Sequence, residues 1–157
     1  MRAVLSFSVV AAVLSGAGCA ADPLPFDGVA DVKLLMTSVI EPAAEVYWDA
    51  VGTIIDENGI DEFAPTTDEE WQAVRNAAVV IAESGNLLMM EGRLQGGVEW
   101  LAMSTAMIQA GRQALAAANA EDTDAVFDAG AEVYYTCTAC HATYALDTIR
   151  PSDLRDD

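Results

Sequence analysis

Hydrophobic residues recur every three or four positions along most of the chain, the spacing typical of amphipathic α-helices. This spacing predicts four helices, at about 29–54, 67–91, 98–118 and 123–146. The hydrophobic stripe expected on the first helix is Val29, Val32, Met36, Val39, Ala43, Val46, Ala50 and Ile54. The chain shows no strand pattern, so the expected fold class is all-α, an antiparallel four-helix bundle.

Local signals mark where the helices begin, break and end. Pro42 lacks the amide that would bond to the Ser38 carbonyl, so the first helix should bend or restart there. Residues 52–65 carry turn residues without strong periodicity and are expected to be the longest connection. Thr67 and Glu70 have the spacing of a capping box at the start of the second helix.

The first twenty residues have the pattern of an export signal: Arg2, then an apolar stretch over 3–14, then small residues over 15–20. The apolar stretch is too short for a spanning helix, which needs about 20 apolar residues. We therefore expect a periplasmic protein. Residues 21–28 are expected to be an extended linker, 29–146 the single domain and 147–157 a loose tail.

Cys19 leaves two forms of the exported protein open. Ala17-Gly18-Cys19 resembles the end of a bacterial lipoprotein signal, in which the cysteine becomes lipidated. Simple cleavage just after Cys19 or Ala20 is the alternative. The protein would accordingly be lipid-anchored to the membrane through Cys19 or soluble in the periplasm.

The charge is strongly negative, with 25 acidic against 7 basic residues and a formal net charge of −18. Nucleic acid is not an expected partner, because binding a polyanion depends on Lys and Arg neutralising phosphates. A protein with a basic docking surface is the natural complement, and acidity that serves solubility alone is the other explanation.

The chemistry is concentrated in residues 137–141, which read CTACH. Two cysteines spaced by two residues and followed by histidine form the attachment pattern of haem c. On a helix, Cys137, Cys140 and His141 share one face, so one porphyrin can take both thioethers and an axial nitrogen. His141 is the only histidine in the chain. In bacteria this attachment occurs outside the cytoplasm, which agrees with the export signal.

Two other chemistries fit the same residues less well. A redox dithiol of the CxxC type follows a strand in a βαβ unit, and the sequence predicts no such unit. A zinc site needs four ligands, so two cysteines and one histidine would need a carboxylate from elsewhere.

A four-helix pattern with CTACH on the last helix, and with Tyr144 three residues after His141, resembles the class II c-type cytochromes. This group contains cytochrome c prime and its methionine-ligated relatives. The resemblance covers about 29–146 and implies thioether bonds at Cys137 and Cys140, His141 as the proximal iron ligand, and a first-helix residue on the distal side. Ala145 departs from the group, whose members often carry a basic residue there.

Met36 is the only methionine of the first helix and is therefore the expected distal ligand. A thioether there would raise the reduction potential and block small ligands. If Met36 only fills core space and Leu35 covers the iron instead, the protein would be a five-coordinate cytochrome that binds nitric oxide or carbon monoxide. Lys33 and Arg93 are candidate partners of the haem propionates, and Tyr144 is a candidate haem contact.

The function expected from these features is an exported electron carrier with one covalent haem c, whose iron is held by His141 and Met36. The protein is not expected to be an enzyme. A redox partner protein is implied, and class II relatives often form homodimers. The alternatives are the gas-binding cytochrome and a non-haem helical module whose CTACH is unmodified or holds a metal.

Overall fold

A computed structural model of the chain describes residues 26–145. The proposed export signal, Cys19, most of the linker and the C-terminal tail lie outside the described residues. Between 26 and 145 the chain is mostly helical, with four helices and one small two-stranded sheet. This agrees with an all-α fold class, apart from the sheet.

The first helix, α1, spans 32–48 and consists of three consecutive segments: Val32–Leu35 (α-helical), Met36–Ile40 (π-helical) and Glu41–Trp48 (α-helical). The other helices are α2 (Asp68–Leu88), α3 (Val98–Ala120) and α4 (Thr123–Tyr144). The sheet is a hairpin of β1 (Gly52–Asp56) and β2 (Gly59–Phe63).

The π-helical turn of α1 lies just before Pro42. The Glu41 amide donates to the Met36 carbonyl, five residues back, and a regular α-helix begins at Glu41 with Pro42 in its first turn. Proline is tolerated there because the first amides of a helix have no intrahelical acceptor. The sequence predicted that the first helix bends or restarts at Pro42; the helix instead continues through Pro42, and what changes just before it is the type of helical turn, from π to α.

The π turn also changes which residues of α1 face the core. A π turn holds more residues than an α turn, so the fully buried residues Leu35 and Ile40 are five positions apart. After the π turn, buried residues again follow α-helical spacing, at Ile40, Ala44 and Tyr47. The predicted stripe was therefore partly wrong. Val29 and Val46 lie exposed, whereas Leu35 and Tyr47 are buried.

The hairpin is the main correction to the predicted fold. The first helix ends at Trp48 rather than near Ile54, and residues 52–63 form paired strands rather than an irregular connection. The Asp56 carboxylate accepts from the Asn58 amide at 2.7 Å, and Gly59 has a φ of 137°, which favours glycine. The strands carry β-branched side chains, with Ile55 directly opposite Ile60.

The start of α2 confirms the predicted capping box, and α4 is capped as well. The Thr67 hydroxyl accepts from the Glu70 amide at 3.2 Å, and the Glu70 carboxylate accepts in return from the Thr67 amide at 3.0 Å. Asp122 caps α4 by accepting from the Ala125 amide at 3.0 Å. The apolar face of α2 is buried at Trp71, Val74, Ala78, Ile81 and Leu88.

Helices α2 and α3 pack antiparallel at very short separation. A Cβ added at Gly111 would lie 2.5 Å from the Ala82 backbone, and one added at Gly85 would lie 2.5 Å from the Ser104 carbonyl oxygen. The two glycines thus remove the side chains that would hold the helices apart. The same pairings show the antiparallel direction, since the position on α3 rises as the position on α2 falls.

The remaining helix contacts enclose one core. Helix α3 also packs on α4, the segment Glu41–Trp48 of α1 packs on α2 and more lightly on α4, and the π turn packs on α2. Trp100 and Tyr47 are the largest fully buried side chains, and the Tyr47 hydroxyl donates to the Ala114 carbonyl at 3.1 Å. No helix between 26 and 145 is long and apolar enough to span a bilayer.

Replacing Gly111 by alanine is expected to destabilise the protein, although alanine favours helix formation by about 1 kcal/mol. The added methyl would meet backbone that cannot move away, and such overpacking costs about 1–3 kcal/mol. Urea unfolding followed by circular dichroism measures the change. Gly28→Ala is the control, because nothing lies within 4 Å of its added Cβ. A Gly111→Ala variant as stable as the control would contradict the close packing.

Candidate haem-attachment site

The motif residues continue the inner face of α4. Val126, Gly130 and Val133 are buried on this face, and Cys137, Cys140 and His141 follow at helical spacing, each half-buried. The intervening Thr138 and Ala139 are exposed. The sequence therefore places both thiols and the imidazole along one edge of the core, as the spacing predicts.

Burial sets the state of the two thiols. Burial, together with a smaller contribution from the neighbouring Cys140, raises the pKa of Cys137 to about 11. Burial also raises the pKa of Cys140. Both cysteines are free, so the site offers two neutral thiols rather than a disulfide. Between 26 and 145, no group of three or more His, Cys, Asp or Glu side chains is arranged to hold a metal ion by itself.

Tyr144, at the end of α4, packs against the start of α3. Its ring meets Trp100 edge to face, with centroids 4.9 Å apart, and its hydroxyl lies beside Gly96, where an added Cβ would be 2.9 Å away. The Trp100 indole in turn donates to the Leu88 carbonyl at 2.8 Å. The aromatic pair thus joins the ends of three helices next to the motif.

Arg93 connects α1 to α2 through hydrogen bonds. Its side chain is only 7 % exposed. The guanidinium donates from Nε to the Ala30 carbonyl at 3.0 Å and from one terminal nitrogen to the Leu87 carbonyl at 3.1 Å. These bonds tie the start of α1 to the end of α2. The propionate role predicted for Arg93 stays a prediction.

The sequence-predicted site residues gather at one end of the molecule. Arg93 bonds to Ala30, and Tyr144 lies beside Gly96, so the starts of α1 and α3 meet the ends of α2 and α4. Lys33 and Met36 lie within the first turns of α1, at this same end. Met36 is half-buried against the core, whereas Lys33 is exposed. The iron-ligand role of Met36 and the propionate role of Lys33 stay predictions.

Sequence reasoning missed two features next to this site. One is the π turn that begins at Met36, for which Pro42 was the only signal. The other is the pair of exposed rings Tyr134 and Tyr135, one turn before Cys137, where a solvent-facing helix would ordinarily carry at least one polar side chain. The adjacent tyrosines were a signal available in the sequence.

Haem c requires two thiols for thioether bonds and one imidazole for the iron, and all three lie half-buried on one face of a single helix. The residues present therefore fit this cofactor. Comparison of the chain with protein-family models, with curated proteins and with solved structures finds no match.

Arg93→Lys is expected to destabilise the protein by about 2 kcal/mol, because an ammonium cannot reproduce the fork that reaches two carbonyls, and a buried acceptor is left unpaired. Thermal unfolding monitored by circular dichroism measures this change. Arg112→Lys, at an exposed position of α3, should leave stability within about 0.5 kcal/mol of the original. Equal stabilities of the two variants would contradict the structural role of Arg93.

Proposed function

We propose that the protein is an exported mono-haem c-type cytochrome that carries electrons, built as an antiparallel four-helix bundle. The observation that carries this proposal is the position of CTACH on a half-buried helix face, at the end of the molecule where α1 begins. Cys137 and Cys140 are the thioether sites, His141 is the proximal ligand, and Met36 is the distal ligand.

The register of α1 against α4 supports Met36 as the distal ligand. The Trp48 indole donates to the Gly130 carbonyl at 2.9 Å, which fixes these two residues at one height on helices that run antiparallel. Met36 lies twelve residues before Trp48, and Ala142 lies twelve residues after Gly130. This equal count of residues supports our proposal that Met36 lies near the height of His141.

The π turn gives a second reason to favour Met36. Single π turns within α-helices are frequent at functional sites, because they alter the direction of nearby side chains. Here the turn begins at Met36 and moves the buried face of α1 onto Ile40. Met36 is thus half-buried beside the core rather than fully packed within it.

The chain's own residues account for the environment that such a cofactor needs. The haem would supply the one-electron redox chemistry. Cys137 and Cys140 would hold it through thioether bonds, and the imidazole of His141 would ligate the iron. The Trp100–Tyr144 ring contact and the Arg93 hydrogen bonds connect the ends of the helices that carry the proposed ligands.

A five-coordinate, gas-binding cytochrome is the second candidate, and one observation favours it. Leu35 is only 3 % exposed, whereas its neighbour Met36 is half-buried. If Leu35 covers the distal side of the iron, that side would be apolar and open to nitric oxide or carbon monoxide. The register argument applies to Leu35 almost as well as to Met36.

The absorption spectrum of the matured protein tests both candidates. Methionine ligation predicts low-spin bands with a weak near-infrared feature of sulfur-to-iron charge transfer. Replacing Met36 by alanine should convert these to high-spin bands and lower the reduction potential. Met89→Ala, at another half-buried methionine, is the control and should leave the spectrum unchanged.

Other spectra would contradict methionine ligation and favour one of the alternatives. High-spin bands in the unmodified protein that shift under carbon monoxide would support the gas-binding cytochrome. A low-spin spectrum that survives Met36→Ala would reject Met36 as a ligand. A matured protein without covalent haem would leave only a helical module whose CTACH is unmodified or binds a metal.

A further inference from the structure

The outer surface between α1 and α4 carries an unusual concentration of exposed rings. Phe127 is 63 % exposed, Tyr134 55 % and Tyr135 64 %. They line a cleft of about 320 Å³ together with Trp48 and Val51. Exposed apolar residues that occur singly are ordinary, but a contiguous cluster on a monomer marks an interaction surface. We call this surface the aromatic cleft.

The rings of the aromatic cleft hold one another in place. Trp48 is anchored by its hydrogen bond to Gly130, and it meets Tyr134 edge to face, with centroids 6.0 Å apart. Tyr134 meets Tyr135 in the same manner at 6.3 Å. Because these side chains already have fixed neighbours, a partner that binds here loses little conformational entropy in ordering them. Aromatic residues in such positions commonly dominate binding energy.

The charge around the cleft indicates the chemistry of its partner. Residues 34–74 and 113–145, which include α4 and most of α1, contain no lysine or arginine. The acidic side chains Glu45, Asp49, Asp128 and Glu132 are exposed on the two helices that form the cleft. A second copy of this chain would bring like charges together. The surface instead complements an apolar centre surrounded by Lys and Arg.

The cleft adjoins the haem-attachment motif. Tyr134 lies three residues before Cys137, about one turn of α4 away, and the Thr138 hydroxyl donates to the carbonyls of both Tyr134 and Tyr135 at 3.0 Å. A protein bound at these rings would therefore lie within about one helical turn of the first thioether position. Short separations of this kind favour electron exchange.

We propose that the aromatic cleft is the docking surface for a basic redox protein, which inserts an apolar side chain among Phe127, Tyr134 and Tyr135. The acidic surroundings accelerate the encounter, and the rings determine the stability of the complex. The electron-exchange part rests on the proposed cytochrome function, whereas the docking surface does not.

The test uses the full exported protein and a basic class I cytochrome c as the probe, with binding measured by calorimetry at low ionic strength. The double variant Phe127→Ser and Tyr135→Ser should raise the dissociation constant about tenfold, because both rings are lost from the contact. The variant Asp128→Asn and Glu132→Gln should chiefly slow association in stopped-flow measurements, and this difference should disappear as salt is added.

The hairpin provides a matched control. Ile55 and Ile60 are 75 % and 71 % exposed and also lie in an acidic, lysine-free stretch, so Ile55→Ser with Ile60→Ser removes as much exposed apolar surface elsewhere. This variant should bind within twofold of the original protein. Equal weakening in both variants, or no binding of the probe, would overturn the proposal. Sedimentation showing a dimer that only the Phe127 and Tyr135 changes dissociate would also overturn it, in favour of self-association.

Failure of the docking surface and failure of the haem assignment give different results. A matured protein that carries haem but binds the probe independently of Phe127 and Tyr135 overturns the docking surface alone. A colourless protein that binds the probe through these rings would support the docking surface and contradict the cytochrome function.

Discussion

The register between α1 and α4 is the constraint on which the account of this protein depends. It is fixed by the hydrogen bond from the Trp48 indole to the Gly130 carbonyl. Gly130 has no side chain, and a Cβ there would lie 3.3 Å from the Trp48 ring, so any larger residue would press on the tryptophan. A shift of one helical turn, about 5.4 Å, would change which residues of α1 lie opposite the motif, and the proposed ligand role of Met36 depends on this register.

Two different arrangements of side chains adjoin the motif. At the end that carries CTACH, Arg93, Trp100 and Tyr144 join helix ends through buried hydrogen bonds and ring packing. Next to the motif, between it and the start of α4, the rings Phe127, Tyr134 and Tyr135 are exposed and line a cleft with Trp48. Rigid packing around the proposed cofactor and exposed rings beside it suit a protein that fixes its iron ligands and exchanges electrons with a partner.

Most of the helical architecture could be predicted from residue spacing, and the failures have local causes. The faces of α2 and α4 were predictable because an uninterrupted α-helix repeats every 3.6 residues. The face of α1 was not, because the π turn before Pro42 shifts Leu35 and Ile40 out of that period. The hairpin was missed because its exposed strands lack alternation, although Thr53, Ile54 and Ile55 favour a strand and Asn58-Gly59 favours a turn.

The candidate site divides in the same way. The candidate motif at 137–141 could be recognised in the sequence because the proposed haem attachment requires two cysteines and a histidine at a fixed spacing on one helix. The height of Met36 depends on how α1 packs against α4, which no local pattern encodes. The most direct measurement is the intact mass of the exported protein: the account predicts the polypeptide plus one covalent haem, lost when Cys137 and Cys140 are both serine. A mass equal to that of the polypeptide alone would contradict it.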